Sequence, residues 1–515
     1  PKRLVSGVTY TLSQLRQMGH VCVPRDFFLT KCAEILEIDA ESAERALSSA
    51  MGLLLVAVRK TPDGSWMVYE PGLLRCEEEF PSKLAHLASV ERHSGRALLR
   101  FPVLPDAVFS EEQLSAVKMA GESAVSVITG GPGVGKTTVV GEIVRRAKLA
   151  ELTFALAAPT GRAAKRMSET TGVPASTIHR LLKWDPVKHG FVHGRSSPLQ
   201  LDLLIVDETS MLDLLLATAL FRAIAPGTTV VLVGDSDQLP SVGPGNVLND
   251  IIASGFIPVT RLTKIFRQGA GSGIILAAHE VNNGRMPPPV RNRRSAPVTD
   301  FYWIEKDDPE DAASIIERMV CERIPARFGL DPVNDIQVLS PMNKGCCGTI
   351  ALNERLQELL NRDAKMQFKH GDRIFKLGDK VMQVANNYDK GVFNGDMGRI
   401  ASIDFEERTF TVRYDTEKVK YEFLEADQLT LSYAVTIHKS QGSEFPAVVI
   451  PLLTQHYVML QRNLLYTGMT RAKRLMILVA SEKAVSMAVR NAVLDPRYSL
   501  LRERLADSFH AEGFR

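Results

Sequence analysis

Val125-Ser126-Val127-Ile128-Thr129-Gly130-Gly131-Pro132-Gly133-Val134-Gly135-Lys136-Thr137-Thr138 is the stretch whose reading decides the fold. Its first five residues are an apolar run of the kind that parallel sheets bury on both faces. The next eight carry the spacing G-x-x-x-x-G-K-T, and a helical pattern follows. A strand that turns through glycines into a helix N-terminus aims successive backbone N–H groups at one point. Phosphate is what such a point receives. Gly131, Pro132, Gly133, Val134 and Gly135 wrap it, Lys136 neutralises the β and γ phosphates, and the Thr137 hydroxyl holds magnesium, with Thr138 beside it. The expected cofactors are ATP and Mg2+.

Outward from this loop, short apolar runs at 154–157, 203–206 and 230–233 alternate with helical segments, an α/β nucleotide-binding pattern that begins near residue 107. The run 203–206 ends in Asp207-Glu208. Asp207 suits the magnesium shell and Glu208 suits proton abstraction from an attacking water, although two acids can also be a solvated strand end. After 230–233 comes Gly234-Asp235-Ser236-Asp237-Gln238. A neutral amide there can touch both the γ-phosphate and a second domain, so Gln238 is a natural sensor of hydrolysis; the alternative is an Asx-rich turn.

A second α/β set, at 336–339, 448–450 and 475–479, predicts another lobe over 261–365 and 431–515, the first lobe being 106–260. Two interruptions stand out. Residues 184–198 are polar and glycine-containing, which suits a protruding hairpin, and 366–430 alternates as short strands and turns, which suits a small SH3-like β-barrel. Residues 1–105 read as short amphipathic helices followed by strands at 53–59 and 66–69, a winged-helix-like domain that binds duplex DNA or another protein. The prolines 287–289 and the arginines 291, 293 and 294 read as a solvated loop.

At 515 residues the chain is long enough for several domains, and 45% hydrophobic with 23% charged residues is ordinary for a globular protein. A net charge of +3 excludes a whole-molecule basic field, so any nucleic-acid site must be built locally. The longest apolar run, 51–58, is too short to span a bilayer, and no signal peptide is present; both lead to the expectation of a cytoplasmic protein. The chain opens at Pro1 rather than methionine, and we read its start as lacking a natural N-terminal segment. The six cysteines form no C-x-x-C pair and read as reduced structural thiols. The acidic run 305–311 lacks the spaced carboxylate and lysine pattern of a metal nuclease.

Further blocks follow in order: Gln113, Ala158-Pro159-Thr160-Gly161-Arg162-Ala163-Ala164, Thr177-Ile178-His179, Phe266-Arg267-Gln268, Val435-Thr436-Ile437-His438-Lys439-Ser440-Gln441-Gly442 and Tyr466-Thr467-Gly468-Met469-Thr470-Arg471-Ala472. With the phosphate loop, Asp207-Glu208 and Gln238, this set resembles superfamily 1 helicases, most closely the stand-alone RecD-like group, over about 107–481. The resemblance implies two RecA-like (P-loop) motor domains and an ATP-dependent DNA helicase, active in repair or recombination, that moves 5′-to-3′ on single-stranded DNA. It implies that Gln113 reads the adenine edge and that Arg267 and Arg471 reach the γ-phosphate. Pro159, Thr160, Thr177, His179, Thr436, His438 and Lys439 would line the DNA path. Junctions with a 5′ tail are the expected partner, and a monomer the expected state. A protein-stripping translocase or an RNA helicase of the same superfamily is the alternative, and a non-catalytic ATP-binding clamp a third.

Overall fold

The computed structural model describes residues 2–91, 93–102, 109–185, 190–265, 272–288, 299–387, 389–414, 417–492 and 497–514. Three helices, α1 (Lys2–Gln17), α2 (Arg25–Leu36) and α3 (Ala40–Gly52), pack on an antiparallel sheet of β1 (Cys22–Pro24), β2 (Ala57–Lys60) and β3 (Trp66–Tyr69), ordered β1-β3-β2. This is a winged-helix arrangement, with Val8, Phe28, Cys32, Leu47 and Val68 fully buried at its centre. The strand expected over 53–59 starts only at Ala57. Leu54 takes a left-handed φ of 57°, which breaks the extended run, and Leu53 to Leu55 stay exposed. Helix α4 (Pro71–Ala88) leads away and sets Phe80 edge-on against Phe221 at 5.1 Å.

The first lobe contains, in order, α5 (Glu111–Glu122), β4 (Val125–Gly130), α6 (Lys136–Leu149), β5 (Phe154–Ala158), α7 (Gly161–Thr171), β6 (Ala175–Thr177) and α8 (Ile178–Leu181). A short antiparallel ladder of β7 (Trp184–Asp185) and β8 (Gly190–Phe191) comes next. It is followed by β9 (Leu203–Val206), α9 (Leu214–Ala223), β10 (Thr229–Gly234), α10 (Val247–Ser254) and β11 (Val259–Leu262). Six of these strands form a parallel sheet ordered β11-β4-β10-β9-β5-β6, so this sheet runs to Leu262. All of β9 and β10 is buried, as a layer covered by helices on both faces demands. Register then places the site. Gly234 pairs with Thr129 and Leu232 with Val206, so β4, β9 and β10 end side by side and the loops after them converge on one edge.

The second lobe holds α11 (Gly273–Asn282), β12 (Phe301–Glu305), α12 (Pro309–Arg318), α13 (Ile324–Phe328), β13 (Ile336–Ser340) and α14 (Thr349–Leu360). After an insertion it resumes with β21 (Ala434–Thr436), β22 (Phe445–Leu452), α15 (Arg462–Met469), β23 (Ala472–Ala480) and α16 (Glu482–Arg490). Its parallel sheet is ordered β12-β23-β22-β13-β21. The inserted SH3-like barrel comprises β14 (Gln367–His370), β15 (Arg373–Lys376), β16 (Lys380–Gln383), β17 (Met397–Asp404), β18 (Thr409–Arg413), β19 (Lys418–Glu422) and β20 (Leu429–Leu431). Alternating residues such as Phe410, Val412 and Tyr421 fill it.

The last helix, α17 (Leu501–Ala511), does not stay with the second lobe, where chain order put it. Leu501, Leu505 and Phe509 bury against α4 and α10, Phe509 stacks on Phe256 at 5.0 Å, and Arg504 pairs with the buried Glu77 at 3.2 Å. Apolar area on one helix face outweighed proximity along the chain. No helix among the described residues is long and apolar enough to cross a membrane.

Candidate active site and strand cleft

Gly135 ends the phosphate loop with a φ of 84°, a left-handed conformation that glycine adopts without strain. A methyl group there would lie 2.2 Å from Gln113 Nε2, so glycine is also needed for space. Lys136 opens α6, and its Nζ donates to the carbonyls of Gly130 and, at 2.9 Å, Gly131. Thr137 is half-buried and Thr138 exposed on the same turn. Gln113 has local work: Oε1 accepts from Ser110 N at 3.0 Å to cap α5, and Nε2 donates to Val134 O at 3.1 Å. One amide hydrogen and one lone pair remain for a base edge.

Asp207 lies at the end of β9. Burial foremost, and then the charge of Glu208, raise its carboxyl to about 6, while Arg166 and Lys136 pull the other way. Its Oδ1 accepts from Glu208 N at 2.8 Å. Glu208 sits at φ 52°, an uncommon conformation for a side chain with a Cβ, and Thr209 Oγ1 holds the following turn by donating to Val233 O at 2.8 Å. A carboxylate with a hydroxyl is a hard-oxygen donor set. No cluster of three or more metal-ligating side chains occurs among the described residues. The carboxylate and hydroxyl are of the oxygen chemistry that suits magnesium, which binds through one or two protein oxygens and completes its shell with water and substrate phosphates.

The two lobes meet on this edge through side chains. Tyr466 Oη donates to Asp235 Oδ2 at 2.9 Å, and Gln238 Nε2 donates to the same oxygen at 3.0 Å. Arg471 Nη2 donates to Gln238 Oε1 at 3.0 Å, while its Nε and Nη1 bond Thr467 O at 3.1 Å and Ser443 O at 3.3 Å. Backbone joins in: Leu239 N donates to Thr467 Oγ1 at 2.9 Å, and Gln441 Nε2 donates to Leu239 O at 2.8 Å. Burial raises the Asp235 carboxyl and the Tyr466 phenol. A methyl on Gly131 would lie 2.8 Å from Tyr466 Oη, so this ring reaches the phosphate loop itself. Arg267, the other expected γ-phosphate contact, lies outside the described residues.

A second bridge passes through Arg166, 3.6 Å from Glu208 in its own lobe and 2.8 Å from Glu444 in the other. Reading the sequence alone leaves out the roles of Asp235, Tyr466, Arg166 and Glu444. The first two stand inside recognisable blocks, but nothing in residue type pairs them. Arg166 offers only its place four residues after Arg162 on one face of α7, a weak signal.

The seven residues expected along a strand path all line one cleft of about 720 Å³: Pro159, Thr160, Thr177 and His179 on the first lobe, Thr436, His438 and Lys439 on the second. Local hydrogen bonds explain the threonines. Thr160 Oγ1 accepts from Ala163 N at 3.3 Å and caps α7; Thr177 Oγ1 accepts from Arg180 N at 3.2 Å and caps α8. Thr436 Oγ1 accepts from Lys439 N at 3.3 Å. Two helix N-termini therefore open on the cleft, a favourable setting for anions. Burial lowers the pKa of His179, His438 and Lys439, disfavouring the charged form of each. Phe393 and Asn394 of the barrel line the cleft as well.

Comparison with known proteins adds three family descriptions. An AAA domain matches residues 113–244, the SH3 domain of ATP-dependent RecD-like DNA helicases matches 352–414, and a UvrD-like helicase C-terminal domain matches 431–479. The ATP-dependent RecD2 DNA helicase of Deinococcus radiodurans is 34% identical over 517 residues, covering 98% of this chain and 69% of that protein. The RecBCD enzyme subunit RecD of Mycolicibacterium smegmatis is 31% identical, covering 77% and 75%. Among solved structures, a Pif1 helicase from Bacteroides in complex with ADP-AlF3 and single-stranded DNA aligns with a TM-score of 0.45 at 20% identity, over 79% of this chain and 99% of that one.

Proposed function

The chain belongs to the RecD-like family of superfamily 1 ATP-dependent DNA helicases, and from that premise we propose that it moves 5′-to-3′ along single-stranded DNA, as a monomer, and unwinds the duplex ahead. The observation that carries the motor is the Arg471–Gln238 hydrogen bond, which joins the second lobe to the first beside the phosphate loop.

ATP lies on Gly131, Pro132, Gly133, Val134, Gly135, Lys136, Thr137 and Thr138, with its base near Gln113. Glu208 takes the proton from the attacking water, a role typically worth ~10² to 10⁴ in rate. Arg471 and Arg267 meet the charge developing on the γ-phosphoryl group, where an arginine contributes ~10³ to 10⁵. Magnesium held by Thr137 and Asp207 would supply further neutralisation of the phosphates. Gln238 is bonded to Arg471 on one side and Asp235 on the other, so loss of the γ-phosphate is felt in both lobes.

Pro159, Thr160, Thr177, His179, Thr436, His438 and Lys439 grip the strand by phosphate and sugar and leave its sequence unread. Because the cleft has a wall in each lobe, opening and closing of the nucleotide seam changes the spacing of the grips, which advances the strand. The hairpin within 184–198 splits the duplex at the leading edge. Its base is anchored by Trp184 against Phe191 at 5.1 Å and by Arg195 pairing with Glu79 at 3.2 Å. The barrel at 366–430 closes over the strand.

Strand displacement with 5′-tailed and 3′-tailed duplexes, ATP and magnesium is the test. The 5′-tailed duplex alone should unwind, and a matched RNA should stimulate hydrolysis less than DNA. Unwinding of the 3′-tailed duplex alone would overturn the polarity, and a shortened hairpin that unwinds undiminished would overturn the wedge.

A further inference from the structure

A second cavity, of about 490 Å³, lies beside the strand cleft. Arg162 and Ser443 line both, and the 2.9 Å hydrogen bond from Arg162 Nη1 to Ser443 Oγ is part of the partition between them. All three units build its walls. Arg166 comes from α7, Lys473 from β23, and Lys380, Arg399 and Arg413 from the barrel. Glu444 is already shared by Arg166 at 2.8 Å and Lys473 at 3.5 Å.

The three barrel cations form no ion pair with a described carboxylate. Lys380 is the telling one. It is only 7% exposed, and among the described residues its Nζ has a single hydrogen bond, 3.3 Å to Ile336 O. Burial and the neighbouring Arg162 and Arg399 push its ammonium down to about 7, although Asp331 and Asp335 oppose them. Arg399 is anchored through Nε to Gly378 O at 3.2 Å, which leaves its terminal N–H groups for a ligand. Arg413 stands exposed at the end of β18. A lysine buried beside other cations, with one long hydrogen bond to a carbonyl and no carboxylate in salt-bridge contact among the described residues, gains stability when an anion enters the cavity.

We propose that this junction binds a phosphate group, gathered by Lys380, Arg399 and Arg413. The oxyanion has two possible sources with the same chemistry. One is a phosphodiester of a strand continuing past Arg162; the other is inorganic phosphate leaving Glu208 past Arg166, 3.6 Å away. The phosphate site stands on the walls themselves, and only its source rests on the motor reading.

The test uses the full chain with Lys380→Met and, separately, Arg413→Gln, whose exposed position leaves folding intact. Inorganic phosphate is titrated by 31P line broadening, and oligo(dT) binding is measured across salt concentrations. Removing one charge-assisted hydrogen bond should weaken phosphate binding by about tenfold. If the strand is the source, the slope of log affinity against log salt should instead become shallower by about 0.7 for each backbone phosphate no longer neutralised. A change in either arm supports the site and names its source. Unchanged behaviour of Arg413→Gln in both arms overturns the proposal, and this holds even if Lys380→Met does not fold. Failed strand displacement would sink the motor reading and leave the phosphate titration standing.

Discussion

Arg471 and Gln238, 233 residues apart in sequence, are hydrogen-bonded at 3.0 Å across the seam, and the same Gln238 donates at 3.0 Å to the buried Asp235. One amide is the joint between a cation of the second lobe and a carboxyl of the first. Only a side chain that both donates and accepts can serve this way. Glutamate at 238 would lose the donation, and an aliphatic residue would lose both bonds.

Replacing Arg471 with alanine should lower DNA-stimulated turnover by about 10³ or more. Arg471 is not part of the strand cleft, so affinity for oligo(dT) should change little. Lysine at 471 should restore little, because one ammonium cannot reproduce a planar fork held by Thr467, Ser443, Gln238 and Thr470. Steady-state hydrolysis and fluorescence anisotropy check this; turnover near the wild-type rate would remove Arg471 from the chemistry.

Gly131→Ala should wedge the seam, since the new methyl would sit 2.8 Å from Tyr466 Oη. Hydrolysis should fall while the separate lobes keep their stability. Adding Tyr466→Phe removes the opposing oxygen, so the double variant should hydrolyse ATP faster than Gly131→Ala alone. A double-mutant cycle measures the coupling, and additive effects would mean that the two residues do not meet.

Asp250 lies under α17 with Oδ2 unpartnered, and burial foremost, then Glu77 and Glu503, raise its carboxyl to about 7. Its folded pKa exceeds the unfolded value, so the folded state holds the proton more tightly. The stability this contributes is full below about pH 4 and is lost as pH rises through about 7. Asp250→Asn has no such dependence. Its thermal midpoint should exceed the wild type's by a margin that grows between pH 5 and 7 and then levels off, as scanning calorimetry will show; a margin independent of pH would refute the assignment.

Thr160→Val keeps the side-chain shape but removes both the cap of α7 and a hydroxyl of the cleft. The missing cap should cost about 1 kcal/mol of stability, and strand affinity should fall with it. Thr160→Ser should restore both. Equal affinity in the valine and serine variants would mean that the hydroxyl does not touch the strand.

What the sequence determined is local. The apolar runs 203–206 in β9 and 230–233 in β10 announce strands covered on both faces, because a polar residue there has to be desolvated. The glycines at 130–135 announce a loop whose φ values and close approaches other residues cannot meet. The blocks around Pro159, Thr177 and His438 were legible as blocks. Their convergence on one path was expected from the family resemblance, because a one-dimensional pattern does not by itself say which loops share an edge; the structure brings all seven residues to one cleft.

Tertiary structure decided the pairings. Register placed Gly234 beside Thr129 and so gathered the loops that follow β4 and β10 on one edge. Packing drew α17 back onto α4, away from its neighbours in the chain, where Leu501, Leu505 and Phe509 bury their apolar face. Leu54 ended as an exposed turn rather than a strand because its left-handed φ breaks the extended run before Ala57. Asp235 meets Tyr466, and Arg166 meets Glu444, only because two lobes with separate cores dock edge to edge. Hydrogen bonds act over a few ångströms and are indifferent to separation along the chain, so only the folded chain settles who bonds to whom.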